Sequence, residues 1–157
     1  KEDKMDTITA KHIGAYGIII DNNKIALVRK ARGGYKGKLD LPGGGIEHTE
    51  LPNDTLIREL KEEADVEVTN FSLLDVTATN ITWQMEENLL EDLHHIGILY
   101  LVTIAGTKLK SDADGLDSEG CEWYEINSLT REELSPFTIY ALEKLGYSLN
   151  EKVNKKI

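Results

Sequence analysis

Apolar residues recur with two different periods along this chain, and the changes of period divide it into strands and helices. His12 to Ile20 is apolar and β-branched, stops at the turn-forming Asp21-Asn22-Asn23, and resumes from Lys24 to Arg29, where Ile25, Leu27 and Arg29 alternate with Ala26 and Val28. Two such runs across a short polar break predict a pair of strands joined by a tight hairpin. Ala31 to Lys38, with Gly33, Gly34 and Gly37, reads as a loop, and Leu41-Pro42-Gly43-Gly44-Gly45 as a breaker cluster. Pro52 suits the first turn of a helix, and Leu56, Ile57, Leu60 and Ala64 follow at helical spacing, which predicts a helix from Pro52 to Ala64. Val66 to Ala78 predicts one or two strands, Glu86 to Asp92 an acidic loop or irregular turn, and His95 to Ile104 a buried strand. Lys108 to Gly120 reads as a polar loop and Cys121 to Ile126 as a short strand. Ser135 is placed to cap a second helix that ends near Gly146, and the tail from Glu151 to Ile157 is expected to fray. Strands separated by two well-spaced helices imply an α/β layered domain with a mixed β-sheet. The 157 residues suit one such domain, spanning 1–157 with its core at about 12–146.

Composition narrows the classes of function. Hydrophobic residues make up 40% and charged residues 29%, as in an ordinary globular protein. No apolar run approaches the roughly 20 residues that span a bilayer, so no membrane role is expected. The first ten residues alternate charged and polar types, unlike a signal peptide. Cys121 is the only cysteine, which excludes an internal disulfide, argues against a Cys-based zinc site, and suits a reducing cytoplasm. A net charge of -10 argues against binding a nucleic-acid polymer. The charge is nevertheless segregated. From Asn23 to Leu39 there is no acidic residue, and Lys24, Arg29, Lys30, Arg32, Lys36 and Lys38 are basic; from Glu47 to Glu67 the balance reverses.

The reversal falls on the first predicted helix. At about 100° per residue, with Leu56 at zero, Leu60, Ala64 and Ile57 fill an arc of about 100° facing the core, and Glu62, Glu59 and Glu63 fill the next, from about 240° to 340°. Glu59 and Glu63 lie one turn apart, roughly 6 Å along the axis, and like charges at that spacing destabilise a helix. A divalent cation converts the repulsion into ligation, because magnesium prefers hard carboxylate oxygens. The plain alternative is a solvated acidic face, with Arg58 and Lys61 pairing the carboxylates.

The residues ahead of the helix favour the first reading. Gly44, five residues, Glu50, seven residues, Arg58-Glu59-Leu60, one residue, Glu62-Glu63, one residue, Asp65-Val66 resembles the Nudix box, in which eight of nine defined positions match here. Leu41-Pro42-Gly43-Gly44-Gly45-Ile46-Glu47 is similar to the family's approach to its helix, and Glu122-Trp123-Tyr124 to its late acidic-aromatic strand. Asp65 stands where the family has Gly, Leu39 where many members have Trp, and Leu51 where a capping Ser or Thr is common.

The resemblance implies a Nudix-type α/β/α sandwich and a hydrolase of diphosphate linkages. It implies that Glu59 and Glu63 ligate Mg2+, with Mn2+ as an alternative, that Glu62 does so directly or through water, and that the Gly44 region adds a backbone carbonyl. Arg58 would hold Glu59 or Glu50 by a charge-assisted hydrogen bond. The general base must reach the attacking water; Glu59 is the first choice, with Glu119 and Glu122 next and also as substrate contacts. Arg29, Lys30 and Arg32 are candidates for holding phosphates, against the plain reading of solvated strand-end charges. Trp83 and Tyr35 are candidates for stacking on a base, whereas Trp123 reads as core. His94 and His95 are neighbours in a strand and point to opposite faces, which argues against a metal pair. The expected partner is a nucleotide-like small molecule, with no proline between Val66 and Leu134 and no tyrosine between Val66 and Leu99 favouring a small nucleoside di- or triphosphate. A homodimer is the default oligomer. A catalytically silent domain sensing a nucleotide or nucleotide sugar would be expected to have lost box glutamates, and an isomerase of prenyl diphosphates would need a reactive cysteine where Cys121 is an isolated strand residue.

Overall fold

The computed structural model describes residues 4–113, 115 and 118–151. In chain order its elements are β1 (Asp6–Asp21), β2 (Lys24–Lys30), β3 (Leu39–Asp40), β4 (Gly43–Gly45), α1 (Pro52–Ala64), β5 (Val68–Glu86), β6 (Leu89–Ile104), β7 (Ser118–Glu125) and α2 (Pro136–Lys144), with two single 3-10 turns between β7 and α2. The strands form one sheet in the order β3-β2-β1-β6-β5, with β4 on β1 and β7 on β2. β1 and β6 run parallel from Asp6 opposite Leu89 to Ile19 opposite Val102, and the other pairs are antiparallel. The sheet is therefore mixed, as the element pattern implied.

Period-2 alternation sorts the apolar side chains into two cores. Tyr16, Ile18, Ile25, Leu27 and Leu99 pack with Phe137, Ala141 and Leu142 of α2. Ala15, Ile19, Ala26, Val28, Tyr100 and Cys121 pack with Leu56, Leu60 and Ala64 of α1. Helix, sheet and helix thus form the three layers of an α/β/α sandwich, each fully buried Leu or Ile contributing about 1.5–3 kcal/mol of transfer free energy. No helix among the described residues is long and apolar enough to cross a membrane.

Several elements depart from the sequence pattern. β1 starts at Asp6, not at His12, and of the stretch Val66 to Ala78 the part from Val68 belongs to a single 19-residue strand that continues to Glu86. The expected irregular segment from Glu86 to Asp92 is a tight hairpin turn, with Asn88 at φ 62, and Leu89 to Asp92 already pairs as β6. These stretches are mostly exposed or half-buried, so burial does not set them; the ladder of β1, β6 and β5 makes them strands. They form a three-stranded ribbon that continues the sheet past the core.

α1 is rotated from its expected setting. Ile57 is 44% exposed, while Thr55 and Glu63 join Leu56, Leu60 and Ala64 as buried residues, so the buried stripe turns toward the acidic side of the helix. Leu51 makes no side-chain cap, and Thr55 Oγ1 instead donates to its carbonyl at 3.3 Å and to Glu50 at 2.5 Å. Asp65 adopts the left-handed conformation at φ 52 that the family's glycine would take, and its N–H closes on Lys61 O at 3.1 Å. Ser135 caps α2 and Gly146, at φ 93, follows its end, as expected. Of the predicted polar loop, residues 114, 116 and 117 lie outside the described residues, and so does the expected frayed tail beyond Glu151.

Candidate active site

The chemistry-bearing residues meet where α1 faces the glycine turn. Gly43 N–H donates to Glu63 Oε1 at 3.1 Å, which fixes the last helical turn against β4. A Cβ on Gly44 would lie 2.5 Å from the Glu59 carboxyl carbon, so only glycine lets that carboxylate come so close to the turn. Arg58 ties the acidic groups together. Its Nε and Nη2 donate to Glu50 Oε2 and Oε1 at 2.8 and 2.9 Å, and Nη2 also reaches Gly45 O at 3.2 Å. Its Nη1 donates to Glu59 at 2.9 Å and to Glu62 at 3.3 Å. The bidentate Arg58 pair is the main reason the Glu50 carboxyl is held down at about 2, and Glu50 in turn raises the Arg58 guanidinium above its ordinary range.

Glu63 behaves in the opposite way. It is 9% exposed, and burial pushes its carboxyl up to about 8; Lys30 and the Gly43 N–H oppose the shift, while Asp40 and Glu59 add to it. Near neutral pH the group keeps its proton unless a cation takes the proton's place.

A cleft of about 590 Å³ opens beside these groups. It is lined from α1 by Glu59, Glu62 and Glu63, from the turn by Gly43 to Gly45, and from β2 and its following loop by Lys30, Arg32, Gly33, Gly34 and Tyr35. β1 adds Ala10, Lys11, His12 and Tyr16, β3 adds Asp40, and β6 adds Glu91, Leu93 and His95. The Tyr16 hydroxyl lies 2.7 Å from His95 Nε2 and the Tyr35 hydroxyl 2.9 Å from Nδ1. Burial, then His12 and Lys30, lowers His95 to about 3, so the imidazole is neutral: one ring nitrogen donates to a tyrosine oxygen and the other accepts from a tyrosine hydroxyl. Asp40 is buried and accepts from Ser135 Oγ at 2.6 Å and from Leu41 N–H at 2.9 Å.

Of the residues singled out in the sequence, Glu59, Glu62, Glu63, Gly44, Lys30 and Arg32 line this one cleft, and Arg58 holds two of its carboxylates, Glu59 and Glu62, together with Glu50 just outside the lining. Arg29, Glu119 and Glu122 do not line it. Arg29 donates to Gly37 O at 2.9 Å, and Glu119 and Glu122 are exposed on β7. Alternation accounts for the difference. Val28 and Cys121 face α1, so Lys30 does too, whereas Arg29 and Glu122 share the opposite face with Leu27 and Tyr124. Trp83 donates to Glu91 at 2.8 Å and packs beside Gly34 outside the lining, and Tyr35 is buried with its ring stacked on His95. Cys121 is fully buried and its thiol is pushed up to about 12 by burial, so it is no nucleophile or acid-base group. Tyr16, Asp40, His12 and His95 were not picked out as cleft residues by motif or spacing, because long-range pairing alone brings them there.

The carboxylates and the Gly44 backbone are hard oxygen donors, the chemistry that suits Mg2+ or Mn2+ with retained waters. A carboxyl that burial alone keeps protonated, and that a bound cation would ionise, fits the same group. Among the described residues no three His, Cys, Asp or Glu side chains are gathered closely enough to hold a metal ion as they stand. Arg58 engages Glu59 and Glu62, and the Gly43 N–H engages Glu63.

Comparison with known proteins identifies the family. A family model described as the NUDIX domain matches residues 10–145. The chain is 30% identical over 115 residues to an ADP-ribose pyrophosphatase of Methanocaldococcus jannaschii, a match covering 73% of this chain but only 62% of that protein. It is 29% identical over 133 residues to an 8-oxo-dGTP diphosphatase of Escherichia coli, covering 83% of this chain and 93% of that protein. Among solved structures, a MutT NUDIX hydrolase from Burkholderia pseudomallei superposes with a TM-score of 0.70 at 22% identity, covering 87% of this chain and 98% of that one.

Proposed function

The chain belongs to the NUDIX family, and from that premise we propose that it is a magnesium-dependent pyrophosphohydrolase acting on a nucleoside diphosphate linked to another moiety, with a nucleoside triphosphate as the substrate type. One observation carries the reading: a single cleft joins the carboxylates of Glu59, Glu62 and Glu63 to the cations of Lys30 and Arg32. That arrangement matches a diphosphate held between a metal and basic side chains.

Glu59, Glu63 and Glu62, with the Gly44 carbonyl, would hold the ion. When bound, a divalent cation neutralises charge on the phosphates and lowers the pKa of a coordinated water. Lys30 and Arg32 bind phosphate oxygens and orient the chain of phosphates in the cleft. Arg58 is a positioning residue, setting the carboxylates through its five hydrogen bonds to Glu50, Glu59, Glu62 and Gly45. Glu59 is the carboxylate best placed to take the proton of the attacking water, since it lines the cleft while Glu119 and Glu122 do not. The nucleoside extends toward Tyr35 and the ribbon residues. The buried, lone Cys121 suits a reducing cytoplasm.

The test is a nucleotide panel with and without Mg2+, read by product identity. The relatives' names put 8-oxo-dGTP and ADP-ribose first on it. We expect turnover that needs the metal and disappears in Glu63→Gln. Tight nucleotide binding without turnover would instead assign the domain to sensing, and turnover indifferent to chelator would remove the metal from the reading.

A further inference from the structure

β1 is covered unequally on its two sides. One side pairs with β6 from Asp6 to Ile19, while on the other β4 pairs only with Gly14 to Tyr16, and Ile46 N–H reaches Ile13 O at 3.0 Å. Among the described residues no strand pairs with Asp6 to His12 on that second side. Backbone groups point alternately to the two sides of a strand. Ile13 O and Gly17 N–H point toward β4, and Asp6 N–H reaches Asn88 O on the β6 side, so the N–H and C=O groups of Thr7, Thr9 and Lys11 face the open edge. The ribbon's other edge, β5, is broken by register shifts between Val68 and Asn70, Leu73 and Asp75, and Gln84 and Glu86. Bulges of that kind blunt an edge against pairing, whereas β1 keeps one register with β6 throughout.

We propose that the open edge of β1 pairs with the same edge of a second copy of this chain, antiparallel and centred on Thr9. Two-fold symmetry then sets Thr9 opposite the partner's Thr9, Thr7 opposite the partner's Lys11, Ile8 opposite the partner's Ala10, and Asp6 opposite the partner's His12. This register fills the open stretch from end to end, with Ile46 beside Ile13 as its stop. Every outward backbone group of Thr7, Thr9 and Lys11 finds a partner, and the Asp6 carboxylate, an acceptor, meets the partner's His12 imidazole at both ends. Ile8, 44% exposed in the single chain, gains an apolar neighbour across the pair. The two ribbons become one continuous sheet. Because Lys11 and His12 line the cleft, the partner's Asp6 borders each active site.

Sedimentation analysis of the whole chain across the micromolar range should show twice the single-chain mass. Thr9→Pro should sediment at the single-chain mass with an unchanged circular dichroism spectrum, because the Thr9 N–H points away from β6 and proline is tolerated on that side of an edge strand. Thr9→Cys gives an independent reading. Hydrogen-bonded antiparallel pairs place Cα atoms about 5.5 Å apart, within disulfide range, and the native Cys121 is buried. Oxidation should convert that variant into a covalent dimer. A wild-type chain of single mass, a dimer that survives Thr9→Pro, or a dimer in which Thr9→Cys does not cross-link overturns the proposal.

Discussion

Replacing Glu63 by glutamine should uncouple stability from pH in the metal-free protein. The glutamine side chain keeps the size and the acceptor that Gly43 N–H uses, and it mimics the protonated carboxyl. In the wild type the folded carboxyl titrates at about 8 against 4.5 for the ordinary side chain. The group is raised, so the folded chain binds the extra proton. Its contribution is complete below about pH 4.5 and declines until it is gone above about pH 8. From about pH 6 to about pH 9 the decline crosses two units before the folded pKa, at about 1.4 kcal/mol each, or about 3 kcal/mol. Urea unfolding in the presence of a chelator should show that loss in the wild type and not in Glu63→Gln. Adding Mg2+ at the alkaline end should restore stability to the wild type, because a ligand of the folded state shifts unfolding by mass action, and leave the variant little changed. Parallel pH profiles for the two proteins would refute the reasoning, since they would mean that Glu63 titrates as an exposed carboxylate.

Arg58→Ala removes the clamp on three carboxylates and should cost about 2–3 kcal/mol in urea unfolding, the scale of charge-assisted hydrogen bonds, while lowering kcat by more than tenfold. Gly44→Ala puts a methyl group against the Glu59 carboxylate, and should reduce kcat sharply with a smaller change in Tm; full activity would show that the close approach is dispensable. Lys30→Ala should raise KM about tenfold, equivalent to about 1.4 kcal/mol of phosphate binding, and Arg29→Ala, on the opposite face, should leave KM unchanged.

The acidic half of the site was legible because it is local. Gly44, Glu50, Arg58, Glu59, Glu62 and Glu63 lie within one turn and one helix, where the 3.6-residue period fixes which side chains are neighbours. Strand alternation, applied strictly, would also have separated Lys30 from Arg29 and Glu122, since a period of two leaves each residue one face. The rotation of α1 was only partly legible from periodicity: the helical wheel sets Glu63 at the border of the core-facing stripe and Ile57 within it, whereas packing against the sheet buries Glu63 and leaves Ile57 exposed.

What the sequence determined by itself, then, was the order of the longer elements, the two helices and the spacing of the acidic box, all set by short-range sterics and periodicity; the short strand β3 lies between what reads as a loop and a breaker cluster, and β4 within that cluster. Only the tertiary structure decided that the largely exposed stretches Asp6–Lys11 and Thr79–Glu91 become a ribbon, that Glu63 is buried enough to keep a proton, and that His95 lies between Tyr16 and Tyr35. Those features join residues as much as 83 positions apart, as Asp6 and Leu89 are. No local pattern records such pairings, because the free energy that selects them comes from burial and hydrogen bonding completed only when the distant strands meet.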